Sequence, residues 1–360
     1  MRFAFRSIAS YADAPQNNYL LLRLVAALLV IYGHSYAIAH IPRQFDLIQR
    51  NLHFTYSGAV GVDIFFVISG FLVTGSYLNR RDWADFMKSR CLRIFPGLMV
   101  CMLATVFLLG PVVTSMPALQ YLTDPQLYGF LMENLTLTSL HFRLPGVFEH
   151  LPVDSVNGSL WTLPAEFGLY LLLGIFGAAG TLFDRRGYLP FILLMCGVLV
   201  ALHLEIHYFE SKERYLPLVF LFATGSLIRV YADRIPMSSW ILAVLSAITL
   251  ALVWLRIPYA IYMFWAWVVY ATFWFAYVPE LHFFNRAGDY SYGLYIYAFP
   301  IGQTLRQYLP QIHPLQLFPL VSLLTLGCAM LSWHFIEHPA LRLKKVKFGD
   351  LIRRRVATGD

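Results

Sequence analysis

Charge is the scarcest property of this chain. Of 360 residues only 13% are Asp, Glu, Lys or Arg, about half the roughly 25% of an ordinary soluble domain. With 58% hydrophobic residues and a mean hydropathy of +0.60, this excludes a soluble protein and implies an all-α, polytopic membrane helix bundle. Cysteine is also sparse. Cys91, Cys101, Cys196 and Cys328 lie far apart with no Cys-x-x-Cys, which offers neither a zinc site nor a disulfide framework. Three of them sit in apolar runs and are expected as small buried residues. No metal is expected. No low-complexity tract or clear internal repeat is present, and no appended soluble domain is expected. The net charge of +7 does not imply nucleic acid, because its distribution has a simpler origin.

That origin is membrane orientation. A span needs about 20 apolar residues, and ten runs qualify, at about 19–39, 59–78, 94–112, 158–180, 188–205, 215–231, 238–255, 258–278, 288–309 and 315–337. Residues 1–18 hold Arg2, Arg6 and Asp13 and no cleavage site follows the first run, so they read as a retained stub rather than a signal peptide. With that stub inside, inner segments carry 19 of the 27 Lys and Arg and outer segments carry 7; Arg23 lies within the first span. The positive-inside rule then places both termini in the cytoplasm and the protein in the cell inner membrane. The expected organisation is a stub over 1–18, a ten-helix domain over 19–337 with an outer loop at 113–157, and a basic cytoplasmic tail over 338–360. The tail "RLKKVKFGDLIRRR" is most simply an orientation signal that also touches anionic membrane lipid.

Ionisable groups inside the spans are costly there and mark function by default. Arg23 and His34 in "RLVAALLVIYGH" are separated by about three turns plus roughly 20°, so they share one face of a helix, ~16 Å apart along it. Alone, Arg23 could be a snorkelling anchor and His34 a packing hydrogen bond; together on one face they suggest a shared cavity. Asp63, in "VGVDIFFVISGFLVTG", falls near the depth of His34 and could fix its tautomer, or could merely cap its own helix. Glu166, in "SVNGSLWTLPAEFGLY", would sit about 12 Å deep, with Pro164 loosening the helix two residues earlier, or would pair structurally with an Arg or Tyr. Trp161 suits the interfacial aromatic belt. Gly58, Gly61, Gly70 and Gly75 would permit close helix approach. In the inner loop "NRRDWADFMKSRCLRIFPGL", Arg90 and Arg93 are three apart and share a helix face. Guanidinium groups bind phosphate bidentately, so a phosphorylated donor could dock there, although topology and lipid contact explain that loop taken alone.

Together these strings resemble the acyltransferase-3 family of integral-membrane O-acyltransferases. "LLRLVAALLVIYGHS", "GVDIFFVISGFLVT", "FMKSRCLRIFPGL", "NGSLWTLPAEFGLY", "YSYGLYIYAFPI" and "LSWHFIEHP" are similar to family motifs and occur in the family's order along nearly the whole chain. The resemblance implies transfer of an acyl group, usually acetyl, from acetyl-CoA (acyl-CoA) in the cytosol to a hydroxyl of a glycan or lipid-linked oligosaccharide acceptor. It implies His34 as the catalytic histidine, Arg23 as its companion and Arg90 and Arg93 as the donor-handling pair. Asp63, Glu166 and Glu337 match family acidic positions. Trp161, Tyr290, Ser291 and Glu337 are the substrate-binding candidates, and polysaccharide-biosynthesis proteins are candidate partners. One position departs: Ala298 stands where many members carry a second histidine. A proton-coupled transporter or exporter would use the same intramembrane groups, but the Arg-x-x-Arg loop and the lack of two matching halves with paired broken helices weigh against it.

Overall fold

The computed structural model describes residues 6–12, 16–183, 185–188, 190, 193–194, 196–197 and 215–345. The fifth expected span, at 188–205, lies mostly outside them, as does the tail beyond 345. The fold is helical; among the described residues the extended pairings are isolated bridges, Ser7–Pro236 and Thr114–Val147. The principal helices are α1 (Tyr19–Ala39), α2 (Ser57–Arg80), α3 (Trp83–Ala104), α4 (Leu163–Ala178), α5 (Leu216–Val230), α6 (Ser239–Trp254), α7 (Ala260–Tyr277), α8 (Ser291–Tyr308) and α9 (Pro314–Ser332). Among the described residues six helical segments are long and apolar enough to cross a bilayer, namely α1, α2, Trp83–Val113, Gly158–Ala178, α7 and Pro314–Arg342; α5 and α6 are shorter apolar helices. The chain is a multi-pass membrane protein, and six of the ten expected spans qualify among the described residues.

Two long spans continue through π-helical turns, Thr105–Leu109 after α3 and Trp333–Glu337 after α9. Such turns often mark functional positions, and the second carries Glu337. Apolar side chains face outward where lipid would be. Trp240 and Trp254, 75% and 81% exposed, mark the two ends of α6 as interfacial aromatics do.

α2 is the central element, packed on α1, α5 and α7. Small residues set that packing, because lipid offers no hydrophobic drive between helices and close backbone approach must supply the attraction. A Cβ on Gly61 would lie 2.4 Å from the Ala26 carbonyl oxygen of α1, and one on Gly70 would lie 2.0 Å from that of Phe222 in α5. Gly70→Ala therefore should destabilise the protein by roughly 1–3 kcal/mol through forced backbone separation. Gly168→Ala, with nothing within 4 Å of the added carbon, should not. Thermal unfolding in detergent compares the two, and equal midpoints would contradict this packing account.

α8 packs between α1 and α9, and Ala27, Ile31, Leu294, Ala298 and Val321 form a smaller core there. Ala298 is thus a packing residue. Of the four cysteines, Cys101 is buried, Cys91 and Cys328 are partly buried and Cys196 is exposed. The start of α1 is fixed by Asn18, whose amide donates to the carbonyls of Phe275 and Pro279 at 2.8 and 2.6 Å. The sequence reading of Pro164 needs correction. It stands in the first turn of α4, preceded by a 3-10 helix, Gly158–Thr162. Proline is tolerated in a first turn, so it starts the helix and does not loosen it.

Candidate active site

Arg23 lies one turn into α1 and cannot remain unpaired in an apolar bundle. Its Nη1 donates to Asp289 Oδ2 at 2.6 Å, and Arg93 Nη2 donates to the same oxygen at 2.8 Å. Ser291 donates to the other oxygen, Oδ1, at 2.6 Å. The three side chains are only 10–23% exposed. Arg93 also reaches toward Glu337 Oε2 at 3.8 Å, while Ser332 donates to Glu337 Oε1 at 2.9 Å. One carboxylate therefore ties together α1, α3 and the start of α8, and the π-helical turn after α9 adds a second.

Asp289 was not among the residues singled out in the sequence. The signal was present: an arginine inside a span demands an anion, and Asp289 directly precedes the "YSYGLYIYAFPI" string.

Arg90 and Arg93 share a helix but not an environment. Arg93 joins the ion network and lies over the Tyr292 ring, with 5.6 Å from guanidinium carbon to ring centroid. Arg90 lies over Tyr170 and Phe86 at 5.7 and 5.8 Å. Tyr170 in turn donates to Glu166 one turn back on α4, and Ser69 of α2 sits 3.0 Å from the Tyr170 hydroxyl.

A cavity of about 50 Å³ opens among these groups, lined by Arg23, Arg93, Glu166 and Ser291 together with Phe65, Thr162, Tyr292 and Tyr295. Thr162 and Tyr295 close one side through a hydroxyl pair 2.7 Å apart. Ser159, buried and three residues before Thr162, lies on the same face of the 3-10 helix about 6 Å further along. Its Oγ is 3.5 Å from His34 Nδ1, and the His34 ring meets the edge of Phe299, with centroids 5.1 Å apart. Ser159 is itself held by Asn157, which accepts from its N–H at 3.2 Å and donates to the Ile296 carbonyl at 2.8 Å.

The remaining sequence candidates are dispersed. Asp63 is buried and hydrogen-bonded to the Trp265 side chain on α7. His34 forms no ion pair with a carboxylate among the described residues. The expected orientation of His34 by Asp63 or Glu166 is therefore replaced by contact with Ser159. Similar depth in the bundle did not bring similar direction around it. Trp161 meets Tyr215 in a tilted ring contact, with centroids 5.7 Å apart, and is not among the residues that line the cavity. The Tyr290 hydroxyl is 3.3 Å from His334 Nε2. Ser291 and Glu337 belong to the ion network. Among the described residues no group of three His, Cys, Asp or Glu could hold a metal ion.

Arg23 and Arg93, both paired with Asp289, line the cavity with the carboxylate of Glu166, and the Ser159–His34 pair lies one 3-10 turn beyond Thr162 in its wall, outside the lining. The family model described as an acyltransferase domain, that of the acyltransferase-3 family, matches residues 18–334. An O-acetyl transferase of Shigella phage Sf6 is 29% identical over 332 residues, covering 88% of this chain and 93% of its own. Nodulation protein 10 of Rhizobium leguminosarum bv. viciae is 28% identical over 96% of this chain and 98% of its own. A regulator of hypoxia-inducible factor 1 from Caenorhabditis elegans is 27% identical over 36% of this chain and 25% of its own. No solved structure matches the chain. The chain belongs to the acyltransferase-3 family and is a membrane-embedded acyltransferase.

Proposed function

We propose that the protein transfers an acetyl group from acetyl-CoA, taken from the cytosol, to a hydroxyl of a cell-surface or exported glycan. The observation that carries this reading is the cavity lined by Arg23 and Arg93, whose wall residue Thr162 lies one 3-10 turn from the Ser159–His34 pair. Cations for a phosphorylated donor line the cavity, and a proton acceptor lies just beyond its wall. The O-acetyl transferase relative supports acetyl as the group moved.

In this mechanism the donor phosphates dock near Arg90 and Arg93, and the pantetheine arm passes Arg23. His34 Nδ1–H donates to Ser159, which leaves Nε2 free as the base. Nε2 takes the proton of the acceptor hydroxyl as its oxygen attacks the thioester carbonyl. A carbon–oxygen bond forms, the carbon–sulfur bond breaks, and the proton passes to the departing thiolate. A variant has Nε2 attack the carbonyl first and carry the acyl group to the acceptor; single-turnover trapping of acyl on His34 separates the two. Asp289 and Glu337 hold Arg23 and Arg93 in place, and Trp161 lies on the acceptor side.

Because Ser159 contributes one hydrogen bond, Ser159→Ala should lower kcat/KM about 2- to 10-fold. A loss as large as that of His34→Ala would make Ser159 a participant in the chemistry instead. The proposed function itself is tested by comparing surface glycans of cells with and without the protein for ester-linked acetyl groups. Identical ester content under conditions of expression would contradict it.

A further inference from the structure

The basic tail is expected from sequence to orient the protein and touch lipid, and its described beginning also packs against the bundle. After α9 and its π-helical turn, the helix His338–Arg342 and the 3-10 turn Leu343–Lys345 fold back onto α3. That contact places the half-buried Lys344 within electrostatic reach of Arg80, Arg90 and Arg93. These four cations come from the end of α2, from α3 and from the chain after α9. Among the described residues, Arg80, Arg90 and Lys344 form no ion pair with a carboxylate.

Topology alone does not require such a cluster. The positive-inside rule asks only that cations lie on one side of the membrane, where separate, solvated side chains serve equally well. Gathering like charges against a helix instead opposes folding unless an anion joins them. Burial, and then the three neighbouring guanidinium groups, bring the Lys344 ammonium down to about 8. The cluster also has a direction. Arg93 already serves Asp289, so Arg80, Arg90 and Lys344 are the ones left for a ligand at the mouth of the cavity.

We propose that Lys344 and Arg80, beside Arg90, form a second phosphate subsite that takes the ribose 3′-phosphate of the donor, while the diphosphate lies deeper toward Arg90 and Arg93. This rests on the acyl-CoA reading above and adds the C-terminal segment to the donor site. A phosphate ester is the shared chemistry of coenzyme A and of anionic lipid headgroups, so the test must separate the two.

The purified full-length protein is reconstituted in nanodiscs of phosphatidylcholine, and affinities for acetyl-CoA and 3′-dephospho-acetyl-CoA are measured. The wild type should prefer acetyl-CoA roughly tenfold or more, the range of charge-assisted hydrogen bonds. Lys344→Gln and Arg80→Gln should each lose most of that preference, and Lys344→Arg should retain it. The preference is a ratio within one variant, so it does not depend on how much of the variant is folded. A Lys344→Gln protein with the wild-type ratio overturns the proposal. So does a substitution that changes only the response to added phosphatidylglycerol, which would assign the patch to a lipid headgroup. A wild type that binds neither donor would instead overturn the acyl-CoA reading on which the proposal stands.

Discussion

His34→Ala should lower the rate of acyl transfer at saturating donor by about 10²–10⁴-fold, the usual contribution of a positioned base, while the protein remains in the membrane at wild-type abundance. His34 is well placed for so selective an effect. Its ring touches Ser159 and Phe299 and belongs to no ion pair among the described residues, so its loss removes chemistry without stranding a partner charge. The measurement is acetyl transfer per mole of membrane-inserted protein. A His34→Ala protein with wild-type turnover would remove the histidine from the mechanism. If acyl-histidine carriage operates, the loss should be total, and no hydroxyl-bearing replacement should restore it.

The other large effect is expected at Asp289. Asp289→Asn removes the anion shared by Arg23 and Arg93 and leaves two guanidinium groups buried without it. Breaking a buried ion pair from one side costs about 3–5 kcal/mol, a large share of the stability of a typical domain. Glu337→Gln should cost less, because Arg93 keeps Asp289 and the Glu337 contact is a longer 3.8 Å. A triple variant, Arg23→Met with Asp289→Leu and Arg93→Met, separates architecture from chemistry. Replacing a buried ionic cluster by apolar groups of similar size is often neutral or stabilising, so the triple variant should recover much of the unfolding temperature lost in Asp289→Asn. It should not recover acyl transfer, since the cavity would have lost both of its cations. Recovery of activity along with stability would reduce the cluster to a structural role.

Helix periodicity alone puts Arg23 and His34 on one face of α1, but the cavity found there is lined by Arg23 and not by His34. The sequence carried the α2 glycines, because small residues in a span have few other uses. What it could not carry was direction around the bundle. Asp63 was matched to His34 on depth, yet α2 turns it toward Trp265. Arg90 and Arg93 share a face at 60° apart, and that angle is enough to send one to Asp289 and the other over Tyr170. Asp289 falls at the very start of an expected span, two residues before the helix begins at Ser291, where a carboxylate is unremarkable; only the demand of Arg23 for an anion would have found it. The contact of Lys344 with α3 depends on how the last helix ends, which no local pattern in the tail encodes.

The proposed reaction joins a thioester to a glycan hydroxyl at His34, beside the cavity that Arg23 and Arg93 line. Release of free coenzyme A from acetyl-CoA by membranes containing the protein, with and without glycan acceptor, tests it most directly. Release should depend on the acceptor, match ester formation one for one, and fall by at least about 10²-fold in His34→Ala. Binding of acetyl-CoA with no acceptor-dependent release, across glycans that carry free hydroxyls from the same cells, would contradict it.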